Sequence, residues 1–330
     1  MLKGYVLKRV AYALITLFAV ATLDFLIFQV FSPLDPVTLL IGPNFPPELK
    51  DTIIGQFGLN QPLLIRYAKF IESMFTFNFG YSFVTRTPVA NEILVRLGNT
   101  LLLLGSAQVL TIVIGVAAGV LAASRRGSKL DILTIGSSLF AGGVPTFFVQ
   151  ILVLLFFYFV FVSTGVLVFP TSGKTSVPPP EDPFSYVADV ARHLMLPLFT
   201  LVMTRVGYWA LYTRNMMIDI LSQDFVVTAR AKALKERVVL FRHGFRVMLP
   251  SVLTLIAMSV PGIITGSIIT EILFSWPGIG TWYLSSMLSG DYPAVQSLVF
   301  VFAILMIGFN LIADLLYGYL DPRVSVGARK

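Results

Sequence analysis

The chain has 330 residues, of which 56% are hydrophobic and only 12% are charged. Soluble domains carry about 25% charged residues, so this composition excludes a soluble protein and predicts a polytopic membrane protein. The formal net charge of +7 does not indicate a nucleic-acid partner, because the basic residues are sorted into particular loops and do not gather on one face. The lack of cysteine excludes disulfides and thiol chemistry.

Residues 1–31 are predicted to form a cytoplasmic N-terminus and the first transmembrane helix. Lys3, Lys8 and Arg9 precede an apolar run over residues 10–31. That run is long enough to cross a hydrocarbon core of ~30 Å. It is too long for the apolar region of a signal peptide, so we interpret it as an uncleaved span whose N-terminus lies inside.

The rest of the chain divides into an external region and a membrane core. Residues 32–98 are polar, rich in Pro and Gly, and lack an apolar run long enough to span. Residues 99–330 are predicted to form the core, with five further transmembrane helices at 99–123, 131–163, 194–215, 251–273 and 293–318. The third is longer than a span requires, and the sequence Gly142-Gly143 with Pro145 predicts a kink in it. The fold prediction is therefore all-α with six spans. Basic residues in the loops between them place both termini in the cytoplasm.

A polar stretch from Asp224 to Pro250 separates the fourth and fifth spans. It contains six Lys or Arg and two acidic residues, which is typical of a cytoplasmic loop. Apolar residues recur at helical spacing on both sides of Lys232-Ala233-Leu234. We predict two short amphipathic helices folded into a hairpin beneath the membrane, within a loop of about 216–250, and we expect a partner protein to hold it.

Few charged residues lie inside the predicted spans, and they suggest two alternatives. Arg205 is near the middle of the fourth span, where a charge costs ~2.5–3.5 kcal/mol on insertion scales. It is expected either to form a structural ion pair, with Glu271, Asp24 or a partner subunit, or to line a translocation pathway. Glu271 has the same two alternatives. Pro261-Gly262 interrupts the fifth span and is a further candidate for that pathway.

The sequence offers no basis for an enzyme. Gly173-Lys174-Thr175 ends like a phosphate-binding loop, but Val168 stands where that motif requires glycine. The two histidines, His193 and His243, fall on opposite predicted sides of the membrane, so no histidine-based metal site can form within one chain. No GxSxG or HExxH pattern is present.

The polar stretch resembles the EAA loop of ABC-importer permeases, and more narrowly that of the dipeptide/oligopeptide branch of binding-protein-dependent type I importers. The resemblance rests on the sequence DFVVTARAKAL of residues 224–234, on Glu236-Arg237 and on Arg242-His243. Further family motifs follow in the family's order over nearly the whole chain: Leu59-Asn60-Gln61-Pro62, Phe79-Gly80-Tyr81-Ser82, the EILFSWPGIG of residues 271–280, Asp291-Tyr292-Pro293 and Leu320-Asp321-Pro322-Arg323.

The resemblance implies a type I ABC importer permease fold in the cell membrane. Two such permease subunits would form the pathway, two ABC ATPase subunits beneath them would bind ATP and Mg, and an extracytoplasmic binding protein would deliver substrate. This chain would itself hold no cofactor. The resemblance assigns ATPase coupling to Asp224, Phe225, Val226, Thr228, Ala229, Arg230, Ala231, Lys232, Ala233, Leu234, Glu236 and Arg237. Its apolar contacts would be Phe225, Val226, Ala229 and Leu234.

One residue departs from the family pattern, and the substrate stays open. Ala233 stands where the family usually has glycine, so a positive φ at this position would strain the backbone. Peptides are the expected substrate, with oligosaccharides or nickel as alternatives for the same machine. A stand-alone secondary transporter is less favoured, because the spans contain no convincing titratable relay or inverted repeat.

Overall fold

The computed structural model describes residues 2–31, 55, 61–259 and 268–320. Every regular element in these ranges is helical, apart from a single bridge between Tyr81 and Pro88. Six helical stretches are long and apolar enough to cross a membrane: Gly4–Val30, Val89–Ser124, Thr146–Thr164, Pro183–Leu221, Glu236–Ser259 and Tyr292–Leu315. These observations confirm the prediction of an all-α membrane protein with six spans.

Twelve α-helices are described, together with two π-helical segments, Leu26–Val30 and Val239–Phe245, that continue neighbouring helices. In chain order the α-helices are α1 Leu2–Phe25, α2 Leu63–Phe75, α3 Val89–Ser124, α4 Lys129–Gly143, α5 Thr146–Thr164, α6 Pro183–Leu221, α7 Asp224–Ala231, α8 Glu236–Val238, α9 Arg246–Ser259, α10 Ile268–Leu273, α11 Ile279–Leu288 and α12 Tyr292–Leu320.

The helix ends differ from the predicted spans in ways that local chemistry explains. The α6 helix begins at Pro183, eleven residues earlier than predicted, because Asp182 caps it by accepting a hydrogen bond from the Ser185 amide and proline occupies its first turn. The predicted kink in the third span is a full break, since Val144 and Pro145 are extended between α4 and α5. The middle of the predicted fifth span, residues 260–267, lies outside the described residues.

The chain forms two compact units. The terminal unit comprises Met1–Thr100, Ile264–Ile268 and Pro277–Lys330. In it α1 packs along α12, and the Arg9 guanidinium lies 2.7 Å from the Asp314 carboxylate. Aromatic rings of Phe25, Phe70 and Phe300 occupy its buried core.

The terminal unit also joins two of the family motifs noted in the sequence. Asp291, which is fully buried, accepts hydrogen bonds from the Ser82 hydroxyl and from the Phe83 amide, the latter at 3.0 Å. Within α3, the Asn99 side-chain amide donates to the Pro277 carbonyl and the Thr100 hydroxyl accepts from the Ile279 amide, both at 2.9 Å. These bonds fix the loop before α3 to the residue that precedes α12, and the loop after α10 to α3.

The central unit, Leu101–Ile263 and Ile269–Trp276, is built around α6. Gly115 and Gly119 of α3 meet it so closely that a Cβ atom at Gly119 would lie 2.5 Å from the Ala210 carbonyl oxygen. On α6, a Cβ at Gly207 would lie 2.6 Å from the Cα of Ser138 in α4. Small residues allow membrane helices to approach in this way, which increases their van der Waals contact.

The close approach of α3 to α6 gives a testable prediction for glycine substitutions on α3. Gly119→Ala should lower the free energy of unfolding by about 1–3 kcal/mol, because the methyl group meets backbone atoms that cannot move aside. Gly105→Ala is the matched control, since it lies on the same helix with no atom within 4 Å of its Cβ position. Unfolding of both variants in mixed detergent micelles measures the difference, and equal stabilities would contradict the packing.

Candidate functional site

The polar stretch forms a hairpin that directly continues α6. Two residues, Ser222 and Gln223, separate the end of α6 from α7, and a short turn then leads into α8. From Glu236 the backbone stays helical through the π segment to Ser259. The first arm is therefore a short helix, as predicted. The second arm is the start of a long continuous helix, which corrects the prediction of two short ones.

The hairpin has its own small hydrophobic core. Val226 and Val239 are fully buried and Ala229 is 4% exposed, and they pack together with Leu221 at the end of α6. Val226 and Ala229 were expected to be contacts for a partner on the outer face. The structure corrects this, because the spacing of three residues turns both side chains inward against the second arm.

A left-handed residue forms the turn of the hairpin. Ala233 has φ +55°, and its amide donates to the Arg230 carbonyl at 2.9 Å. The Arg230 guanidinium lies 2.7 Å from the Glu236 carboxylate, which joins the two arms. The hydrogen bond to Glu236 raises the pKa of Arg230. Positive φ at Ala233 means that this chain carries backbone strain at the turn.

The outer face of the hairpin combines exposed apolar and basic side chains. Phe225, Val227 and Leu234 are 38%, 56% and 39% exposed. Thr228, Ala231 and Asp224 are exposed on the same arm, and Lys232 and Arg237 are exposed at and beyond the turn. Apolar anchors inside a polar, charged rim are the usual composition of a protein interface.

A close contact fixes the base of the hairpin to the transmembrane helices. Gly244 is buried in the π segment, where a Cβ atom would lie 2.6 Å from the Met217 methyl carbon of α6. Met217 and Met248 are fully buried, in a cluster that includes Val120 of α3. The base of the hairpin is therefore in direct contact with α6 and, through this cluster, with α3.

The sequence analysis did not predict an ion pair that lies next to the base of the hairpin. Arg214 of α6 binds Asp131 of α4 through two hydrogen bonds of 2.6 and 2.9 Å, and the two side chains are 15% and 4% exposed. Asp131 also accepts from the Gly127 amide at 2.9 Å. The position of Asp131, three residues after Ser128, indicates the start of a helix. Nothing in the sequence indicates that its partner is Arg214, 83 residues further along the chain.

The candidate pathway residues are not brought together as one site. Arg205 is half-buried on α6 and forms no ion pair with the described residues of the central unit. Glu271 is fully buried on α10, next to a 2.8 Å hydrogen bond from Gln150 to Thr270. The carboxylate oxygens of Asp24, in the terminal unit, have no hydrogen-bond partner among the described residues. Pro261 and Gly262 lie outside the described residues.

The structure is a helical membrane protein with a hairpin fixed to its long helices, and comparison with known families identifies its class as transport permeases. Residues 115–326 match the binding-protein-dependent transport system inner membrane component, and residues 1–104 match the N-terminal region of such membrane components. The chain belongs to this family. It is a transport subunit in a family of permeases and not of enzymes.

Individual relatives match over almost the full length. The chain is 34% identical to the oligopeptide transport system permease protein AppB of Bacillus subtilis, over 98% of this chain and 99% of that protein. It is 34% identical to a putative peptide transport system permease of Brucella melitensis, over 98% and 99%. It is 33% identical to the glutathione transport system permease protein GsiC of Escherichia coli K12, over 97% and 98%.

The strain at the turn predicts opposite effects for two glycine substitutions. Ala233→Gly should stabilise the hairpin by about 0.5–1 kcal/mol, because glycine adopts positive φ without steric cost. Ala231→Gly, in the last turn of α7, should destabilise it by about the same amount through lost helix propensity. Amide hydrogen exchange of residues 224–240 measures both, and effects of the same sign would refute the strained turn.

Proposed function

We propose that this chain is one permease subunit of an ATP-driven importer of peptides. The observation that carries the coupling role is the hairpin, whose outer face is apolar and basic and whose base is fixed to α6 and α3. The substrate class rests on the relatives, three full-length permeases whose names specify oligopeptide, peptide and glutathione transport.

In this proposal the hairpin lies in a groove of a cytoplasmic ATPase subunit and transmits its movement. Phe225 and Leu234 would enter apolar pockets, and Lys232 and Arg237 would face acidic groups at the rim. The buried core of Val226, Ala229 and Val239 keeps the two arms together as one body. Closure of two ATPase subunits on ATP would then shift this body, together with α6, between two arrangements, as coupling between distant sites requires.

The remaining partners follow from the family and from charge. A second, similar permease subunit would complete the pathway, and two ABC ATPase subunits would bind ATP and Mg. An extracytoplasmic binding protein would meet the external region that contains α2. The hairpin and both termini would lie in the cytoplasm, because the basic loops favour that side.

The docking face can be separated from the hairpin core by two kinds of substitution. The double variant Phe225→Ala, Leu234→Ala should reduce uptake about tenfold or more and should prevent the ATPase subunits from co-purifying, since buried apolar anchors dominate interface energy. Ala229→Asp should cause the same loss for a different reason, because it puts an unpaired carboxylate into the hairpin core.

Limited proteolysis of the chain without its ATPases distinguishes the two effects. Cleavage within residues 224–240 should increase for Ala229→Asp and should stay unchanged for the double variant. Arg126→Ala, in the turn between α3 and α4, is the control and should leave association intact. Normal ATPase association and uptake by the double variant would disprove the docking face.

The substrate class is tested by uptake in vesicles that hold the complete complex and its binding protein. Labelled di- to pentapeptides should accumulate only with ATP, and unlabelled peptides should compete while oligosaccharides and nickel should not. ATP-dependent uptake of an oligosaccharide or of nickel, without peptide competition, would replace the peptide assignment and leave the coupling proposal standing.

A further inference from the structure

The terminal unit contains a polar pocket that the transport proposal does not use. It is a cavity of about 80 Å³, several times the ~10–15 Å³ that one water molecule needs. Three elements surround it: the π segment that continues α1, the helix α2 with the loop after it, and the start of α12. Its polar lining includes Gln29, Arg66, Lys69, Ser73, Asn78 and Gln296.

The pocket presents hydrogen-bond donors and positive charge without a balancing carboxylate. Arg66 and Lys69 are both cationic, and no Asp or Glu is among the described residues that line the cavity. Among the described residues the acceptor that engages Arg66 is neutral, the side-chain Oε1 of Gln29 at 3.3 Å from a terminal guanidinium nitrogen. An oxyanion would supply the missing negative charge, since charge-assisted hydrogen bonds from guanidinium and ammonium groups are strong.

Two buried donors in this pocket have no partner among the described residues. Gln296 is 3% exposed, and its side-chain nitrogen makes no hydrogen bond. The Nε atom of Arg66 is also buried and also makes no hydrogen bond to the described residues. Buried polar groups are nearly always hydrogen-bonded, so two orphan donors in one polar cavity indicate a ligand with acceptor oxygens.

The surroundings of Arg66 identify the source of that ligand. Leu63, Leu64 and Ile65 in the first turn of α2 are 51%, 78% and 46% exposed. Exposed apolar residues beside a basic pocket are typical of a helix that lies in the membrane interface, with its apolar side chains among lipid chains and its cations near headgroups. The pocket also borders the ends of two membrane-spanning helices, α1 and α12.

We propose that this pocket binds the phosphate group of an anionic phospholipid of the outer leaflet. Arg66 and Lys69 hold the phosphate oxygens, and Gln296 donates a third hydrogen bond from α12. The bound lipid would then connect α1, α2 and α12 through one headgroup. Free phosphate has the same acceptor chemistry, so the experiment includes both sources.

The test measures thermal unfolding of the full-length chain, purified in detergent and stripped of lipid. Dioctanoyl phosphatidylglycerol, dioctanoyl phosphatidylcholine and inorganic phosphate are titrated separately. Phosphatidylglycerol should raise Tm saturably, and phosphatidylcholine should do so more weakly because its headgroup has no net charge. Arg66→Gln and Gln296→Leu should each weaken the apparent affinity for phosphatidylglycerol about tenfold.

Arg86→Gln is the matched control, because it removes one exposed cation from the same external region outside the pocket. Without lipid, Gln296→Leu should be at least as stable as the wild type, since it removes an orphan donor, so loss of binding cannot be attributed to misfolding. Stabilisation by phosphate alone, with nothing added by the lipid, would overturn the lipid source. A lipid response equal in the wild type and all three variants, or no response to either anion, would overturn the site.

Discussion

The central unit depends on how closely other helices approach α6. Gly115 and Gly119 allow α3 to reach its backbone, and Gly207 allows α4 to do so on another face. Membrane helices gain no hydrophobic driving force from each other in lipid, so close packing and polar contacts must hold them together. The Asp131–Arg214 ion pair adds such a contact near the end of α6 that leads to the hairpin. Helix α6 thus packs against both α3 and α4, and it continues into the hairpin.

The hairpin is joined to the transmembrane helices at its base. It contacts the bundle through Met217 and Gly244, whose backbone approaches the Met217 methyl group closely. The arms are joined twice, by the buried core around Val239 and by the Arg230–Glu236 ion pair at the turn. The two arms therefore form one packed body that continues directly from α6.

The sequence was sufficient for the class of protein and for the location of the hairpin, because both follow from strong local signals. Apolar runs of spanning length defined six helices, and the motif around Ala229 indicated the family. Which side of the hairpin faces outward could not be settled from its sequence, because the second arm continues as a long helix and buries Val226 and Ala229. The Asp131–Arg214 pair and the pocket around Gln296 join distant segments, and no local pattern specifies such pairs. The sequence predicted strain at Ala233 only if its φ is positive, and φ at this position depends on the conformation of the turn.

The terminal unit has a consequence for the order in which the protein is made. Its contacts join a segment that is synthesised early to one that is synthesised much later: Arg9 binds Asp314 across 305 residues, and α1 packs along α12. The central unit draws mainly on one uninterrupted segment, from Leu101 onward. Domains fold as they emerge during synthesis, so the central unit can assemble while the chain is still growing. Helix α1 lacks its α12 contact until α12 is inserted. For that period the surface that is buried in the folded protein, including Asp24, faces lipid, a chaperone or an insertase.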